Sequence, residues 1–408
     1  MTTPSETLRR DTRIIALVGI AHATSHFFHL VLPPLFPWLK VDFGLSYAEL
    51  GLLMSVFFIV SGTGQAAAGF VVDRIGAAPV LFAGVGLCAL SALVLAAAPN
   101  YAVLLIGAGI AGLGNCVFHP ADFTLLGQRV SASRVSHAFS MHGISGNLGW
   151  AAAPVFLAGI AAAWSWRAAL LGASLVAIAV LLTLISRRAL LMASPSHASP
   201  DRTAAAHAAP ATPLAFIRLP GVWMCFGFFF ITAMALGGIQ SFAPAALHEL
   251  YGTPIALAGT GITVYMIMSA LGMVVGGFVA ARSSHHERTI AIAFLIGGAA
   301  AVLVGLGFAP GGIFWVMLSV MGFTVGIAGP SRDLLVRAAA PRNATGRVFG
   351  VVYSGLDIGL SIAPLIFGAL MDAHRPGWIF VIVGLLQTAA LLTAIGVGKR
   401  AARQMAIA

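Results

Sequence analysis

The sequence predicts an all-α membrane protein whose twelve transmembrane helices form two pseudo-symmetric six-helix bundles. Composition is the first of the two observations that predict this fold class. Apolar residues make up 59% of the 408 residues, charged residues make up 8%, and the mean hydropathy is +0.98. A soluble domain usually has about a quarter charged residues. A chain with so few cannot cover a water-facing surface, so we expect its helices to lie in lipid.

An internal repeat is the second observation. Pro120 in the first half is matched by Pro330 in the second, and at the same offset Pro154 is matched by Pro364. Prolines kink helices, so their repetition indicates a repeated helix geometry. In a hydrophobic protein, two similar halves are typical of transporters that rock one half against the other around a central site.

Long apolar runs give the number of helices. Each run reaches or exceeds the ~20 residues that a helix needs to cross the hydrocarbon core. The twelve runs lie at 14–37, 47–71, 78–98, 101–122, 138–161, 166–186, 219–246, 256–281, 289–309, 312–336, 346–370 and 377–397. Between the halves, a polar stretch rich in Ser, Pro, Ala and His is typical of a linker. The predicted organisation is an N-terminal tail at 1–13, a bundle at 14–186, a linker at 187–217, a bundle at 218–398 and a C-terminal tail at 399–408.

The positive charges predict the orientation. With the N-terminus inside, all Lys and Arg residues other than Lys40, Arg167 and Arg375 fall on the cytoplasmic side. This asymmetry follows the positive-inside rule. It predicts a multi-pass protein of the bacterial inner membrane with both termini in the cytoplasm. The net charge of +10 therefore reflects topology, and no nucleic-acid partner is expected.

The sequence does not predict catalysis or a bound cofactor. It contains no GxxxxGK[ST] phosphate loop for ATP, and no predicted soluble domain is available to hold catalytic groups. Cys88, Cys116 and Cys225 fall inside predicted spans, where cysteine is typically a small packing residue. We therefore expect a monomer that is not an enzyme. Its expected partners are a small-molecule substrate, protons and the lipid bilayer.

A short motif follows the second predicted span. Gly69, Asp73, Arg74 and Gly76 form the pattern GxxxDRxG, and Arg282 marks a degenerate copy in the second half. We expect Gly69 to permit close helix contact and Asp73 to cap or pair with a neighbouring helix end. The motif resembles the cytoplasmic signature loop of the major facilitator superfamily. This resemblance implies a major facilitator fold that works by alternating access.

Three further segments carry a narrower resemblance. Ser25-His26, Val117–Pro120 and Gly146–Gly149 resemble the bacterial fosmidomycin-resistance branch of drug exporters. That branch has an acid directly after its His-Pro pair, whereas this chain has Ala121 there and Asp122 one residue later. The resemblance implies export of a drug-like compound.

Five histidines lie within predicted spans. His22, His26 and His29 share one face of the first helix because they are spaced i, i+4 and i+7. His119 and His142 lie in the fourth and fifth spans, and the family resemblance implies that these helices line or adjoin the cavity. Three interpretations stay open: a proton relay, a transition-metal path that uses the first four, or histidines that only hydrogen-bond across helices.

Asp357 is the predicted proton carrier of the second half. It falls in the middle of a span, where a carboxylic acid must be protonated or paired. The alternative is a packing acid bonded to Ser354 or Tyr353. The other predicted polar groups of the cavity are Asn147, Gln240, Tyr265 and Tyr353.

Asp122 and Arg332 occupy matching repeat positions near the predicted cytoplasmic ends of their helices. Opposite charges there predict a cytoplasmic gate, with Asp333 beside it. Alternatively, Asp333 pairs with Arg337, which leaves Arg332 to snorkel or to bind an anionic substrate such as a phosphonate.

These residues predict a proton-coupled secondary transporter that exports a small organic compound or drug, with an organic anion as one option. The first alternative is an importer of an organic anion, or of a transition metal through a histidine-lined cavity. The second is a membrane sensor that reuses the fold without moving solute.

Overall fold

The structure is a computed structural model that describes residues 4–192, 220–283, 285–339 and 345–407. In these ranges all regular structure is helical, which confirms the predicted all-α class. The helices are α1 Pro4–His29, α2 Phe36–Phe43, α3 Tyr47–Ile75, α4 Ala77–Ala96, α5 Tyr101–Asn115, α6 Phe118–Arg129, α7 Val135–Ala163, α8 Trp166–Ser186, α9 Arg188–Met192, α10 Pro220–Tyr251, α11 Ile255–Arg282, α12 His286–Gly305, α13 Ile313–Ala339, α14 Thr345–Asp372 and α15 Pro376–Ile407.

Eleven segments of the described ranges are long and apolar enough to cross a membrane, and a shorter apolar stretch, Pro376–Leu391, lies inside α15. Together they follow the twelve predicted runs in order. Two of the segments, Ser5–Phe43 and Tyr101–Arg129, are longer than one helix because each contains an internal break.

The first break separates α1 from α2. The predicted first span, 14–37, was expected to be one helix, and the predicted tail at 1–13 was expected to precede it. Instead α1 begins at Pro4 and ends at His29, and a 3₁₀ turn over Pro33–Leu35 leads into α2. Proline has no backbone N–H to continue the helical bonds, so two successive prolines stop the helix here.

The second break lies inside the fourth span. Helix α5 ends at Asn115 and α6 begins at Phe118. Pro120 has no N–H to donate to the carbonyl of Cys116, so the helix is interrupted there. The span was predicted to end at 122, but α6 continues to Arg129. Asp122, predicted to lie near the cytoplasmic end of its helix, is therefore about two helical turns away from the end of α6.

The contacts divide the chain into two units, Met1–Leu45 with Val56–Ser199 and Ser46–Ser55 with Pro200–Ala408. Within the first unit α1 packs on α7, and α4 packs on α5 and α8. Within the second unit α10 packs on α14, and α12 packs on α13 and α15. In both units the first of the six spans packs on the fifth, and the third span packs on the fourth and the sixth. The repeated sequence pattern therefore corresponds to repeated packing.

Most of the predicted linker lies outside the described residues. Of the range 187–217, Arg188–Met192 forms the short helix α9, and 193–217 is not described. At the other end, the predicted C-terminal tail at 399–408 belongs to α15 as far as Ile407.

A glycine at matching repeat positions allows the α1–α7 and α10–α14 pairs to approach closely. A Cβ added at Gly149 would overlap the carbonyl oxygen of Ala23 on α1, and one added at Gly359 would lie 2.5 Å from that of Phe230 on α10. Backbone atoms cannot move away as a side chain can. Any larger residue at these positions must therefore push the two helices apart.

We expect Gly149→Ala to lower the free energy of unfolding by about 1–3 kcal/mol, the usual cost of overpacking a tight contact. Thermal unfolding of the detergent-purified protein measures the change. Gly159→Ala on the same helix is the control, because a Cβ there meets no described residue within 4 Å. Equal melting temperatures for the two variants would contradict this explanation of the α1–α7 contact.

Candidate functional site

Five imidazole rings converge in the first unit. His22 is at the centre, with its ring centroid 3.4 Å from that of His142, 4.3 Å from that of His26 and 5.4 Å from that of His119. His29 extends the row, with its ring stacked 4.9 Å from that of His26. The structure thus brings together all five histidines that the sequence singled out. We call them the histidine cluster.

Helix spacing and one glycine explain why the rings meet. The three histidines of α1 share a face, and that face lies against α7. A Cβ added at Gly146 of α7 would be 2.7 Å from the Cε1 and Nδ1 atoms of His26 and 3.0 Å from Nε2 of His22. Gly146 therefore provides the space that two of the imidazoles occupy.

A carboxyl group lies at one end of the histidine cluster. Asp122 is fully buried, and its Oδ2 atom is 3.1 Å from Nε2 of His142 and 3.4 Å from Nδ1 of His22. The rings of His22 and His142 stack on each other at an angle of 21°. Because an isolated buried charge is very unfavourable, a group of this kind is stable when a proton is shared among its members. We call these three residues the His–Asp–His group.

Several neighbours of the histidine cluster were not predicted from the sequence. Gln65 Oε1 is 2.9 Å from Nδ1 of His119, and Asn115 Oδ1 is 3.1 Å from Nε2 of His29. The Trp150 ring lies 4.1 Å from that of His26. Gln65 and Asn115 are lone amides in apolar runs. This is the signal that would have identified them, since a polar group inside a span needs a partner.

Two sets of three residues in the cluster have ligand atoms close enough to hold a metal ion. The ligand atoms of His22, His26 and His119 all lie within 4.8 Å of one another, and so do those of the His–Asp–His group. His29, which the sequence placed on a possible metal path, belongs to neither set. Imidazole is a common ligand for Zn, Cu and Ni, so the geometry is compatible with such ions.

The other predicted polar groups are dispersed. Asn147 donates from Nδ2 to the carbonyl of Gly143 on its own helix, 3.3 Å away. In the second unit, Gln240 and Tyr265 are buried and Asp357 is partly buried within α14. The side chain of Tyr353 lies outside the described part of the chain. Whether any of these groups contacts substrate stays a prediction.

The two predicted gate residues have partners within their own units. The Nε atom of Arg332 is 2.9 Å from Oδ1 of Asp333, and its guanidinium lies 4.7 Å from the centre of the Phe229 ring. The side chain of Arg337, the alternative partner of Asp333, is outside the described residues. Asp122 contacts His22 and His142 of its own unit.

The pairing of Asp122 with Arg332 stays a prediction. If the charges pair in one state of the transport cycle, each single reversal should slow the exchange of labelled for unlabelled substrate, and exchanging the two charges in a double variant should recover part of it. Exchange is the readout because it needs no net proton movement. A double variant no better than the two single variants would contradict the pairing. Vesicle transport assays on the three variants measure this.

The predicted signature loop forms the tight turn between α3 and α4. Gly76 has a φ of 93°, a backbone conformation that favours glycine. Asp73, Arg74 and Arg282 are exposed. A Cβ added at Gly69 would meet nothing within 4 Å among the described residues. The close helix contact expected at Gly69 is not seen among the described residues and stays a prediction.

Comparisons with known proteins agree with this architecture. A family model described as the Major Facilitator Superfamily matches residues 18–364 and, in a second match, 230–404. An uncharacterized MFS-type transporter of Bacillus subtilis, YfnC, is 24% identical over 88% of this chain and 87% of its own length. The membrane sensor protein UhpC of Escherichia coli is 23% identical over 91% of this chain and 88% of its own length.

Two further similarities are weaker, because one covers a shorter part of the chain and the other has a lower sequence identity. The fosmidomycin resistance protein of Escherichia coli is 28% identical over 173 residues, which are 40% of this chain and 42% of that protein. The crystal structure of a bacterial homologue of the human lysosomal transporter Spinster has a TM-score of 0.74 and 15% identity, and it covers 96% of this chain and 97% of its own. At this identity, the structural match concerns the fold alone.

Proposed function

The chain belongs to the major facilitator superfamily, a family of transporters, and from this premise we propose that it is a proton-coupled exporter of a small organic compound. It is a multi-pass membrane protein, which we place in the bacterial inner membrane with both termini in the cytoplasm. Transport proceeds by alternating access. Export is supported by the name of one similar protein, the fosmidomycin resistance protein of Escherichia coli.

The His–Asp–His group is the observation that carries proton coupling. Asp122 is fully buried in an apolar unit, and the groups that face it are His22 of α1 and His142 of α7. Among the described residues, the other titratable groups around them are His26, His29 and His119. A carboxyl group between two imidazoles can receive a proton at Oδ2 and return it to either ring. The proton is thereby held at a defined place during the transport cycle.

Mutual exclusion gives the direction of coupling. An exporter driven by protons must bind its solute and its proton in turn. A solute that hydrogen-bonds to the neutral imidazoles or to Asp122 occupies the atoms that a proton would bind, so binding of one favours release of the other. The same cluster can therefore link solute release to proton movement without any further cofactor.

Proteoliposomes containing a pH-sensitive dye test this proposal. A thermal-shift panel of phosphonates, small organic acids and cationic drugs first selects the probe, because a ligand of the folded state raises the melting temperature. Fosmidomycin is the first phosphonate to test. With the probe added outside, an antiporter moves protons outward, so the interior becomes more alkaline. Acidification would indicate symport, and probe uptake without a pH change would contradict proton coupling.

Transition-metal import is the second candidate, since two sets of ligand atoms in the cluster are close enough to hold an ion. The thermal-shift panel therefore includes Zn, Cu and Ni. A metal transporter should be stabilised by a metal alone and should lose transport at every pH in His26→Ala and His119→Ala. A proton-coupled exporter should instead show a shifted pH profile.

A membrane sensor is a third candidate, favoured by the similarity to the sensor protein UhpC. A sensor binds its ligand without net flux. Stabilisation by a probe that never enters the proteoliposomes would support it.

A further inference from the structure

A buried cation ends the fourth span of the first unit. Arg129 is the last residue of α6 and of the apolar segment Tyr101–Arg129, so we expect it to lie where the hydrocarbon meets the lipid headgroups. It is 9% exposed, and Nε and Nη1 of its guanidinium group are buried without a hydrogen-bond partner among the described residues. A buried charge without a partner is strongly unfavourable. The group therefore requires an acceptor that the described part of the chain does not supply.

An acid close to this end of α6 binds a different arginine. Oδ2 of Asp11 on α1 accepts from Nη1 of Arg134, 2.7 Å away, and from the backbone N–H and the hydroxyl group of Ser131. These bonds hold α1 against the turn that follows α6. Ser131 is two residues from Arg129, yet the buried carboxylate of Asp11 makes no hydrogen bond to Nε or Nη1 of Arg129. Asp11 therefore does not neutralise Arg129.

A second cation acts on Arg129. Arg10 of α1 interacts with it electrostatically, and two like charges repel each other. Arg10 is half-buried, while Arg9 and Arg13 on the same helix are exposed. The carbonyl groups at the end of α6 favour a positive charge, but none of those described accepts from Nε or Nη1 of Arg129. An anion bound to Arg10 and Arg129 would remove the repulsion and give both guanidinium groups a partner.

The chemistry and the position of the two arginines indicate a phosphate group. The planar guanidinium group of arginine matches the spacing of phosphate oxygens and donates two hydrogen bonds at once. Basic residues that lie just cytoplasmic of a membrane span attract anionic lipids. Since Arg10 is half-buried, a phosphate can reach this pair from the membrane surface.

We propose that Arg129 and Arg10 bind the phosphate group of an anionic phospholipid at the cytoplasmic end of the first unit. Nε and Nη1 of Arg129 are buried in this structure, so its long side chain turns towards the phosphate when the lipid binds. Both nitrogens then donate to phosphate oxygens, and Arg10 neutralises the remaining charge. This site lies outside the proposed transport function and does not depend on it.

Thermal unfolding of the delipidated protein in detergent tests the ligand class, because a ligand of the folded state raises the melting temperature. Phosphatidylglycerol, glycerol phosphate and diacylglycerol are added separately at one concentration. Phosphatidylglycerol should raise the melting temperature, and diacylglycerol should not, because it lacks the phosphate. Equal stabilisation by glycerol phosphate would support the phosphate site and overturn the assignment to a lipid. Equal stabilisation by diacylglycerol would overturn the proposal.

Titration with phosphatidylglycerol, followed by native mass spectrometry, tests the two side chains. Arg129→Gln and Arg10→Gln should each weaken binding about tenfold or more, because each removes a hydrogen bond between charged groups. Arg13→Gln is the matched control, since it removes the same charge from an exposed position on α1. Equal weakening in Arg13→Gln would indicate a diffuse surface charge and would overturn the proposal. Unchanged binding in Arg129→Gln would also overturn it.

The lipid-free variants give a readout that separates a ligand site from a structural role. Without lipid, Arg129→Gln should melt at the wild-type temperature or above, because it removes an unpaired buried charge. A lower melting temperature would show that the guanidinium group is held by the protein itself and would contradict the lipid site. None of these measurements involves transport. Lipid binding by a protein that moves no protons would contradict the proposed function alone.

Discussion

Asp122→Asn is expected to reduce proton-coupled transport by about 100-fold or more, the usual effect of removing a proton-transferring group. Asparagine keeps an oxygen that can accept from the imidazole of His142, which lies 3.1 Å from Oδ2 in the wild-type protein. It cannot bind or release a proton. Folding should be unaffected or slightly more stable, because the substitution removes a buried ionisable group.

The measurement compares two kinds of flux in the same proteoliposomes. Net transport driven by a pH gradient should be lost in Asp122→Asn, while exchange of labelled for unlabelled probe should persist, because exchange needs no net proton movement. Asp357→Asn is the matched control, since it makes the same chemical change in the second unit. If Asp357→Asn abolished coupling and Asp122→Asn did not, the carrier would lie in the second unit and the His–Asp–His group would not be the coupling site.

The fold could be predicted from the sequence because membrane solvation imposes long apolar runs, and because the repeat is marked by residues with strong backbone effects. Pro154 and Pro364, at matched positions, lie inside the matched helices α7 and α14. The matched glycines Gly149 and Gly359 both allow a close helix contact. Features of this kind depend on local sequence, and so they are visible without a structure.

The helical face of His22, His26 and His29 was likewise predictable, because it follows from the period of an α-helix. The amide partners in the cluster were not. Asn115 contacts His29 and Gln65 contacts His119. Because each amide is far in the chain from its histidine, only the packing of the helices brings them close. The depth of Asp122 was also missed, because the break before α6 and the extension of α6 to Arg129 move this residue away from the helix end.

The burial of so many imidazoles has an energetic consequence for the first unit. Each unpaired polar atom in an apolar interior costs about 1–3 kcal/mol. Nδ1 of His26, Nδ1 of His29 and Oδ1 of Asp122 are buried without hydrogen-bond partners among the described residues. Polar groups that form fewer hydrogen bonds than they could are expected at a transport site, because their bonds must change during the cycle. These are the atoms at which a proton or a solute would bind in the proposed cycle.

Gly146→Ala is expected to reduce transport about tenfold or more while leaving the protein folded, since small displacements of catalytic or binding groups are enough to produce such losses. A Cβ at this position would lie 2.7 Å from ring atoms of His26 and 3.0 Å from Nε2 of His22. Imidazole rings can rotate away, whereas the backbone contacted at Gly149 cannot. The new methyl group should therefore move the rings and leave the α1–α7 distance almost unchanged.

The comparison with Gly149→Ala makes this prediction specific, because both variants add one methyl group to the same face of α7. Thermal unfolding and proton-coupled transport are measured on both. Gly146→Ala should lose transport and keep its melting temperature, while Gly149→Ala should lose stability, and Gly159→Ala should change neither by much. Normal transport in Gly146→Ala would show that the arrangement of His22 and His26 does not matter for coupling. A large loss of stability in that variant would show instead that Gly146 acts as a helix-packing residue, as Gly149 does.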